Sequence, residues 1–178
     1  MAGQFDPQNA QNLAEIEKQF AVKAVEHAQT YWNLLGKVNP RVLKLTKYDD
    51  EIYEHTMRAF PELAEPPHDK INQIDENWMK SPDGKTRWRQ FIQEYEKKIQ
   101  DHNFGSLIRT NARGEYGETN TIFVTRIQFY AIEIARNRLG LNDHAYEIAK
   151  EDVAAEKVKK EQEAAEAEKR KNGKNGRP

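Results

Sequence analysis

The sequence predicts a mainly α-helical domain followed by a charged C-terminal tail, and three observations lead to that fold class. Apolar residues recur at steps of three and four over most of the chain, as on one face of an α-helix. Short apolar runs typical of strands are confined to residues 104–125, where glycines interrupt the chain. Beyond residue 150 the apolar pattern fades, while alanine and charged residues that favour helices continue.

The longest predicted helix lies near the N-terminus. Asp6-Pro7 favours a helix start, because proline is tolerated in the first turn. Gly36 and Asn39-Pro40 end the pattern. Two apolar strips run along this segment, so the helix is expected to have neighbours on two sides. The first strip is Leu13, Ile16, Phe20, Ala24, His27, Tyr31, Leu34 and Val38, and the second is Ala21, Val25, Ala28 and Trp32.

Three further helices are predicted between residues 46 and 103. Thr46 is typical of an N-cap, and Asp49 stands three residues on, near the positive end of the helix dipole. That helix ends before Pro61. A short helix is expected over residues 71–79, and a longer amphipathic helix over residues 88–99.

Residues 104–125 leave two interpretations open. Two short strands joined by a glycine-bearing loop fit the pattern, and so does an irregular loop that leads into the last helix.

Residues 125–139 are the most apolar part of the chain and predict a central, buried helix. Arg126, Glu133 and Asn137 follow one line on this helix, at spacings of seven and four. Because buried charges need partners, Arg126 and Glu133 are expected to join an internal network or to border a groove.

The predicted organisation has three parts. Residues 1–9 form a flexible N-terminus, residues 10–149 a domain of about five helices, and residues 150–178 a tail that is first helical and then disordered. Residues 169–178 carry five basic residues and no acidic residue. Such a segment attracts RNA or a ribosome loosely, or serves only as a solubilising tail.

Composition and motifs argue against an enzyme. The chain has no cysteine, which excludes disulfides, thiolate catalysis and sulfur-ligated zinc, and its five histidines do not stand at metal-ligand spacing. Gly84-Lys85-Thr86 resembles the end of a phosphate-binding loop, but Met79 occupies the place of its first glycine. We therefore expect no cofactor, metal or small-molecule substrate. No apolar run approaches about 20 residues, so we expect no membrane association and a cytoplasmic location.

Two groups of polar residues are candidates for contact with a protein partner. The first crowds beside an apolar segment, and helix capping is its alternative role. The second lies on the helix predicted to be buried, where an internal salt-bridge network is the alternative. The candidates are Lys44, Thr46, Lys47, Asp49 and Asp50 in the first group, and Arg126, Glu133, Arg136, Asn137 and Arg138 in the second.

Several sequence blocks, spread over roughly residues 17–142, carry a family resemblance. The last of them is long and specific. The blocks are His27-Ala28-x-x-Tyr31; Leu43-Lys44-Leu45-Thr46-Lys47 with Asp49-Asp50 and Ile52-Tyr53; Lys85-x-Arg87-Trp88-Arg89-x-Phe91; Asn103-Phe104-Gly105; Asn120-Thr121-Ile122-Phe123; and Arg126-Ile127-Gln128-Phe129-Tyr130-Ala131-Ile132-Glu133-Ile134-Ala135-Arg136-Asn137-Arg138.

Together these blocks resemble the polysaccharide-biosynthesis-domain-containing protein family, a small eukaryotic family. The resemblance implies a cytosolic, non-enzymatic chaperone that engages the GTP-binding domain of newly made elongation factor 1-alpha at the ribosome. It assigns no residue to client contact. The residues by themselves indicate only a helical module without a catalytic constellation.

Two other functions are compatible with the sequence. One is an RNA- or ribosome-associated protein that acts through its basic tail. The other is a protein of polysaccharide biosynthesis, as the family name suggests, which predicts a deep pocket with convergent polar groups.

Overall fold

The structure is a computed structural model that describes residues 7–174, with side chains placed for residues 14–171. The predicted flexibility of residues 1–6 and disorder of residues 175–178 therefore fall outside the described residues. Within residues 7–174 the elements are α1 (Pro7–Lys37), a 3-10 helix (Pro40–Val42), α2 (Asp49–Ala59), α3 (Pro61–Ala64), α4 (Asp69–Asn72), α5 (Glu76–Lys80), α6 (Pro82–Gln93), β1 (Gly105–Arg109), β2 (Thr121–Thr125), α7 (Arg126–Leu139) and α8 (Asp143–Lys174).

The predicted fold class is confirmed: the described chain is mainly helical with one small hairpin. Five of its helices, α1, α2, α6, α7 and α8, have eleven or more residues. The other three are four- or five-residue helices in the connection between α2 and α6.

Residues 104–125 form a hairpin, which decides between the two interpretations that the sequence left open. β1 and β2 are antiparallel, with Gly105 opposite Thr125 and Arg109 opposite Thr121. Asn120 organises the loop between them: its side-chain oxygen accepts hydrogen bonds from the Thr110 hydroxyl and the Asn111 backbone N–H, both at 2.8 Å. The Asn120 carbonyl also accepts from the Thr110 backbone N–H at 3.1 Å, so one asparagine closes the loop with both its side chain and its backbone.

α7 is the central helix, as its apolar sequence predicts. It begins with a capping box, in which the Thr125 hydroxyl accepts from the Gln128 backbone and the Gln128 side chain accepts from the Thr125 backbone. It ends at Gly140, whose φ of 73° is readily available only to glycine. α2, α4, α6, both strands and the 3-10 helix pack against it, so α7 sets the positions of the elements around it.

An aromatic core fills the space between α2 and α6. Phe60, Trp88, Phe91 and Tyr95 are at most 2% exposed, and Trp78 packs edge-on against Phe60. This confirms that the apolar residues of the segment around residue 88 face inward. Large aromatic side chains give such a core most of its hydrophobic stabilisation.

Both terminal helices extend beyond the core. Residues 14–23 of α1 are exposed, including Ile16 and Phe20, so neighbours on two sides are found only for the later turns of this helix. α8 continues without interruption across the predicted boundary at residue 150 to Lys174, and residues 154–171 are exposed. Lys–Glu pairs four residues apart, such as Lys160–Glu156, stabilise an exposed helix by a few tenths of a kcal/mol each.

α1 and α8 cross in direct backbone contact at Gly36. A Cβ atom at this position would lie 2.7 Å from the carbonyl carbon of Ala149 and closer still to its oxygen. Such a distance is far inside van der Waals contact, so the crossing requires glycine.

Gly36→Ala is therefore expected to destabilise the fold by about 1–3 kcal/mol, although alanine normally favours a helix over glycine. Chemical denaturation measures this change. Gly117→Ala is the matched control, because a Cβ atom there meets nothing within 4 Å. If Gly36→Ala is as stable as the parent chain, the close α1–α8 crossing is wrong.

Candidate partner-binding surfaces

A charged cluster lies completely inside the fold, centred on Glu133 of α7. Its Oε1 accepts a hydrogen bond from Arg136 at 2.8 Å, and its Oε2 accepts from Arg109 at 3.1 Å. Tyr31 of α1 donates its hydroxyl to Oε2 at 2.6 Å, and Asn142 donates its amide to the same oxygen at 2.9 Å. We call these five residues the buried ion cluster. With two guanidinium groups and one carboxylate, it carries an excess positive charge.

Arg136 ties α7 to two neighbouring segments through backbone carbonyls. Its guanidinium donates to the carbonyl of Ile71 at 2.9 Å, of Arg109 at 2.7 Å and of Thr110 at 3.0 Å. A buried guanidinium needs its donors satisfied. The cluster therefore fixes α4 and the end of β1 to the central helix.

Arg109 does the same for the hairpin loop. One of its terminal nitrogens donates to the carbonyls of Ala112 at 2.9 Å and Gly114 at 3.0 Å. The other donates to the Asn142 side-chain oxygen at 2.7 Å as well as to Glu133. A side chain at the end of β1 thus holds the first part of the loop and the start of α8.

The charges of the cluster also set the ionisation of Glu133. Burial alone would raise its pKa, but the guanidinium groups of Arg109 and Arg136 outweigh burial and lower the pKa to about 2. Burial and the adjacent Glu133 carboxylate together raise the pKa of Tyr31 well above its usual value. The cluster therefore consists of a carboxylate and a neutral phenol at neutral pH.

The second group of candidates is divided by this geometry. Glu133, Arg136 and Asn137 are at most 2% exposed and belong to the internal network that was their alternative role. Arg126 lies apart from them, despite the shared line on α7. Its guanidinium donates to Ser106 at 2.6 Å and to Asp101 at 2.8 Å.

The first group is divided in the same way. Asp49 is buried, and its carboxylate accepts from the backbone N–H groups of Leu45 and Thr46 and from the Thr46 hydroxyl. The Thr46 hydroxyl in turn accepts from the backbone of Tyr48. These bonds close the turn ahead of α2. The predicted N-cap at Thr46 is wrong, because α2 begins at Asp49 and its N-cap is Tyr48, which makes no side-chain capping bond.

Four of the ten candidates remain on the surface. Lys44 and Lys47 are exposed, and the exposed Asp50 carboxylate forms an ion pair with the exposed Arg138. Arg138 holds the pKa of Asp50 below its usual range, first through a hydrogen bond and then through its charge. These residues give a small patch of mixed charge on the surface.

A groove that the sequence did not indicate lies between α1, the hairpin loop and α8. It encloses about 570 Å³, and we call it the α1–α8 groove. Trp32 of α1 and Tyr116 of the hairpin loop form its aromatic wall, with ring centroids 6.0 Å apart in an edge-to-face arrangement. Trp32 is fixed by its indole N–H, which donates to Asp152 of α8 at 2.9 Å.

The buried ion cluster supports this wall from inside. The Arg109 guanidinium lies 5.5 Å from the Trp32 ring centroid and 5.8 Å from that of Tyr116, within the range of cation–π attraction. The groove is therefore held in shape by bonds that reach α7 through Glu133.

Carboxylates surround the groove. Glu115, Glu118, Asp152 and Glu156 line it, and none of its lining residues is lysine, arginine or histidine. Glu115 and Glu118 are exposed and take part in no ion pair within residues 14–171. The groove thus combines aromatic rings with an excess of carboxylates, of which Glu156 is paired with Lys160.

Neither a metal centre nor a membrane span is found in the part of the chain that the structure describes. No three His, Asp or Glu side chains there are grouped to hold a metal ion. No described helix is both long and apolar enough to cross a bilayer.

Comparison with known proteins decides the family. The model of the PBDC1 protein family matches residues 16–147, which is most of the chain and nearly the stretch that carries the resemblance in the sequence. The chain belongs to the PBDC1 family. This confirms the resemblance, since the family is that of polysaccharide biosynthesis domain containing 1.

PBDC1 relatives are found in yeasts and mammals. The chain is 53% identical to the PBDC1 homologue of Saccharomyces cerevisiae over 139 residues, which are 78% of this chain and 94% of that protein. It is 41% identical to human PBDC1 over 146 residues, 82% of this chain and 60% of the human protein. A solution NMR structure of a Saccharomyces cerevisiae protein, 52% identical, superposes with a TM-score of 0.70 over 80% of this chain and 96% of that one.

The PBDC1 fold should depend strongly on Glu133. Glu133→Gln leaves two guanidinium groups buried without a counter-charge, so we expect a loss of about 3–5 kcal/mol in the free energy of unfolding. Because the pKa of Glu133 is lowered in the folded state, its contribution is present above the ordinary value of 4.5 and is lost as pH falls toward about 2. As pH falls from 4.5 toward about 2, the free energy of unfolding should therefore decrease less for the variant than for the parent chain, as measured by denaturant unfolding.

Asp50→Asn is the control, since it removes an exposed carboxylate from a surface ion pair and should leave stability near that of the parent. Equal stability of Glu133→Gln and the parent chain at neutral pH would contradict the cluster.

Proposed function

We propose that this PBDC1 protein is a non-enzymatic binding protein that assists folding of the GTP-binding domain of elongation factor 1-alpha during its synthesis. Membership of the family supports the proposal, because the sequence resemblance implies that role. The observation in the structure that carries it is the α1–α8 groove, a preformed concave surface with aromatic and charged side chains.

The shape of the groove favours a polypeptide over a small molecule. The groove is open to solvent, and Val25 on its border is 58% exposed. Sites for sugar nucleotides and similar ligands enclose most of the ligand surface. An extended chain, by contrast, can lie in an open groove and place single side chains against its walls.

Glu133 is the strongest candidate for acid–base chemistry, but its carboxylate is buried and fully hydrogen-bonded within the fold. A catalytic carboxylate needs contact with a substrate proton and a pKa near the working pH. Glu133 is 0% exposed, its two oxygens accept four hydrogen bonds, and its pKa is lowered to about 2. The residue with the most perturbed carboxyl group thus stabilises structure, which supports a binding role.

A helper of this kind needs no energy source of its own. An incomplete GTP-binding domain exposes apolar surface until its nucleotide binds. Because nucleotide binds only the native form, it shifts folding toward that form, and the helper is released when its binding surface disappears. A rigid groove suits the helper, since a preorganised surface loses little entropy on binding.

A second candidate function uses the C-terminal helix. α8 presents Lys169, Arg170 and Lys171 as exposed residues at the far end of a helix that extends beyond the core. That position favours attraction to ribosomal RNA. This second function predicts RNA binding that weakens steeply as the salt concentration rises and that depends on residues 169–178.

Affinity purification from actively translating cells tests the proposal. We expect the tagged chain to enrich elongation factor 1-alpha as nascent chains, and puromycin release of nascent chains to abolish its recovery with ribosomes. Deletion of residues 169–178 is the discriminating variant. If the deletion removes all partners, or if ribosomal components are enriched without that GTPase, the tail-driven function is correct and the chaperone proposal is wrong.

A further inference from the structure

The charge of the α1–α8 groove points to the chemistry of its occupant. We infer that the groove binds a basic segment of the client polypeptide, with a lysine or arginine side chain against the rings of Trp32 and Tyr116. This inference rests on the proposed function for the identity of the polypeptide. Its chemistry rests on the groove alone.

The aromatic wall is suited to a cation. Indole and phenol rings attract ammonium and guanidinium groups through their electron-rich faces. The chain itself provides an example, because the Arg109 guanidinium already lies within 6 Å of both ring centroids inside the fold. Asp152 holds the Trp32 indole in place, so the wall is formed before a ligand arrives. Trp32 is 7% exposed and Tyr116 is partly buried, so a cation would contact only the part of each ring that borders the groove.

The carboxylates supply the charge that a basic segment would meet. Glu115 and Glu118 extend from the hairpin loop, while Asp152 and Glu156 come from α8. Glu156 is paired with Lys160, but the two loop glutamates form no ion pair within residues 14–171. Negative charge in a concave site concentrates cations there, even though the whole chain has a net charge of only −1.

The remaining lining fits the stem of such a side chain. Val25, Ala28 and Leu107 contribute apolar surface beside the rings. Lysine and arginine bury their methylene stems on apolar surface while the charged end reaches polar groups. The groove carboxylates repel the negative charge of phosphate groups, so nucleic acid is not the expected occupant.

In the same copy, the described basic residues at the end of α8, Lys169, Arg170 and Lys171, lie far from the groove. α8 is one continuous helix from Asp143 to Lys174. The 22 residues from Asp152 to Lys174 span roughly 33 Å at 1.5 Å per residue. The described basic residues of the same copy are therefore not the occupant, and we assign that place to the client; a second copy of this chain is the alternative that the titration distinguishes.

An NMR titration of the full chain tests the inference. The probe is the peptide Gly-Lys-Arg-Gly-Lys-Arg-Gly, and the signals are the indole N–H groups of the three tryptophans. We expect the signal of Trp32 to move on binding. Those of Trp78 and Trp88 should stay, because they lie in the aromatic core between α2 and α6.

Charge-neutral variants measure the contribution of the loop glutamates. Glu115→Gln with Glu118→Gln should weaken peptide binding about threefold to tenfold, as expected for two solvent-screened charges. Glu54→Gln with Glu65→Gln is the matched control. It removes the same charge from exposed positions outside the groove and should leave affinity unchanged.

Three results of the peptide experiments would overturn the inference. One is no movement of Trp32 at any peptide concentration, and another is equal weakening in both double variants. The third is tighter binding of a peptide copying residues 169–178, together with dimerisation of the chain in light scattering, which would make a second copy the occupant. Undiminished recovery of elongation factor 1-alpha by the Glu115→Gln, Glu118→Gln chain would refute the groove and leave the proposed function standing. If the peptide binds in the groove but the parent chain does not recover that GTPase, the groove is a site for a basic segment and the proposed function is wrong.

Discussion

The ion pairs of Glu133 with Arg109 and Arg136 are the interactions on which the rest of the fold depends. These groups lie where water does not reach, and an unpaired charge there would cost several kcal/mol. The side chains of the cluster come from α1, the end of β1, α7 and the residue before α8, and all of them bond to the Glu133 carboxylate. Arg136 also bonds to the carbonyl of Ile71 and so adds α4 to the same network. A buried cluster of this kind contributes less to net stability than an apolar core of equal volume. We interpret its role here as fixing one arrangement of these segments.

The same cluster connects the interior to the surface. Arg109 bonds to Glu133 on one side and lies near Trp32 and Tyr116 on the other. The two rings therefore separate a positive interior from a groove lined by carboxylates. Rigid support behind a concave wall is what a preorganised binding surface requires. The structure thereby links a core residue of α7 to the groove in which we place the client.

Sequence patterns predicted the helices more fully than the binding surface. Periodic apolar residues located α1, α2, α6 and α7, because a three- to four-residue repeat is a local signal. The bounds of α6 were wrong: it spans Pro82–Gln93 instead of residues 88–99, because Ser81 caps a helix that begins at Pro82 and the chain turns after Gln93. The hairpin was left open, since its loop is closed by Asn120, a single side chain without a periodic pattern. On α7, Arg126 and Glu133 were expected to join an internal network or to border a groove. Glu133 lies in the buried ion cluster, whereas Arg126 bonds separately with Asp101 and Ser106.

The groove could not be derived from the sequence. Trp32 was assigned to an apolar strip of α1, and Tyr116 lies in a loop, so only the folded chain brings the two rings within 6.0 Å. The segment Glu115-Tyr116-Gly117-Glu118 was the available signal, an aromatic residue between two acidic ones in a surface loop. Binding residues lie disproportionately often on surface loops that a rigid scaffold positions.

Site-specific photo-crosslinking in translating cells tests the binding role most directly. A photoreactive amino acid replaces Gln29, which lines the groove, and in a second chain it replaces the exposed Glu54 outside it. We expect the Gln29 position to crosslink to nascent elongation factor 1-alpha, and the Glu54 position to give little or no such product. Crosslinks from Glu54 alone, or no crosslink to that GTPase from either position, would contradict the assignment of the groove as the client-binding surface.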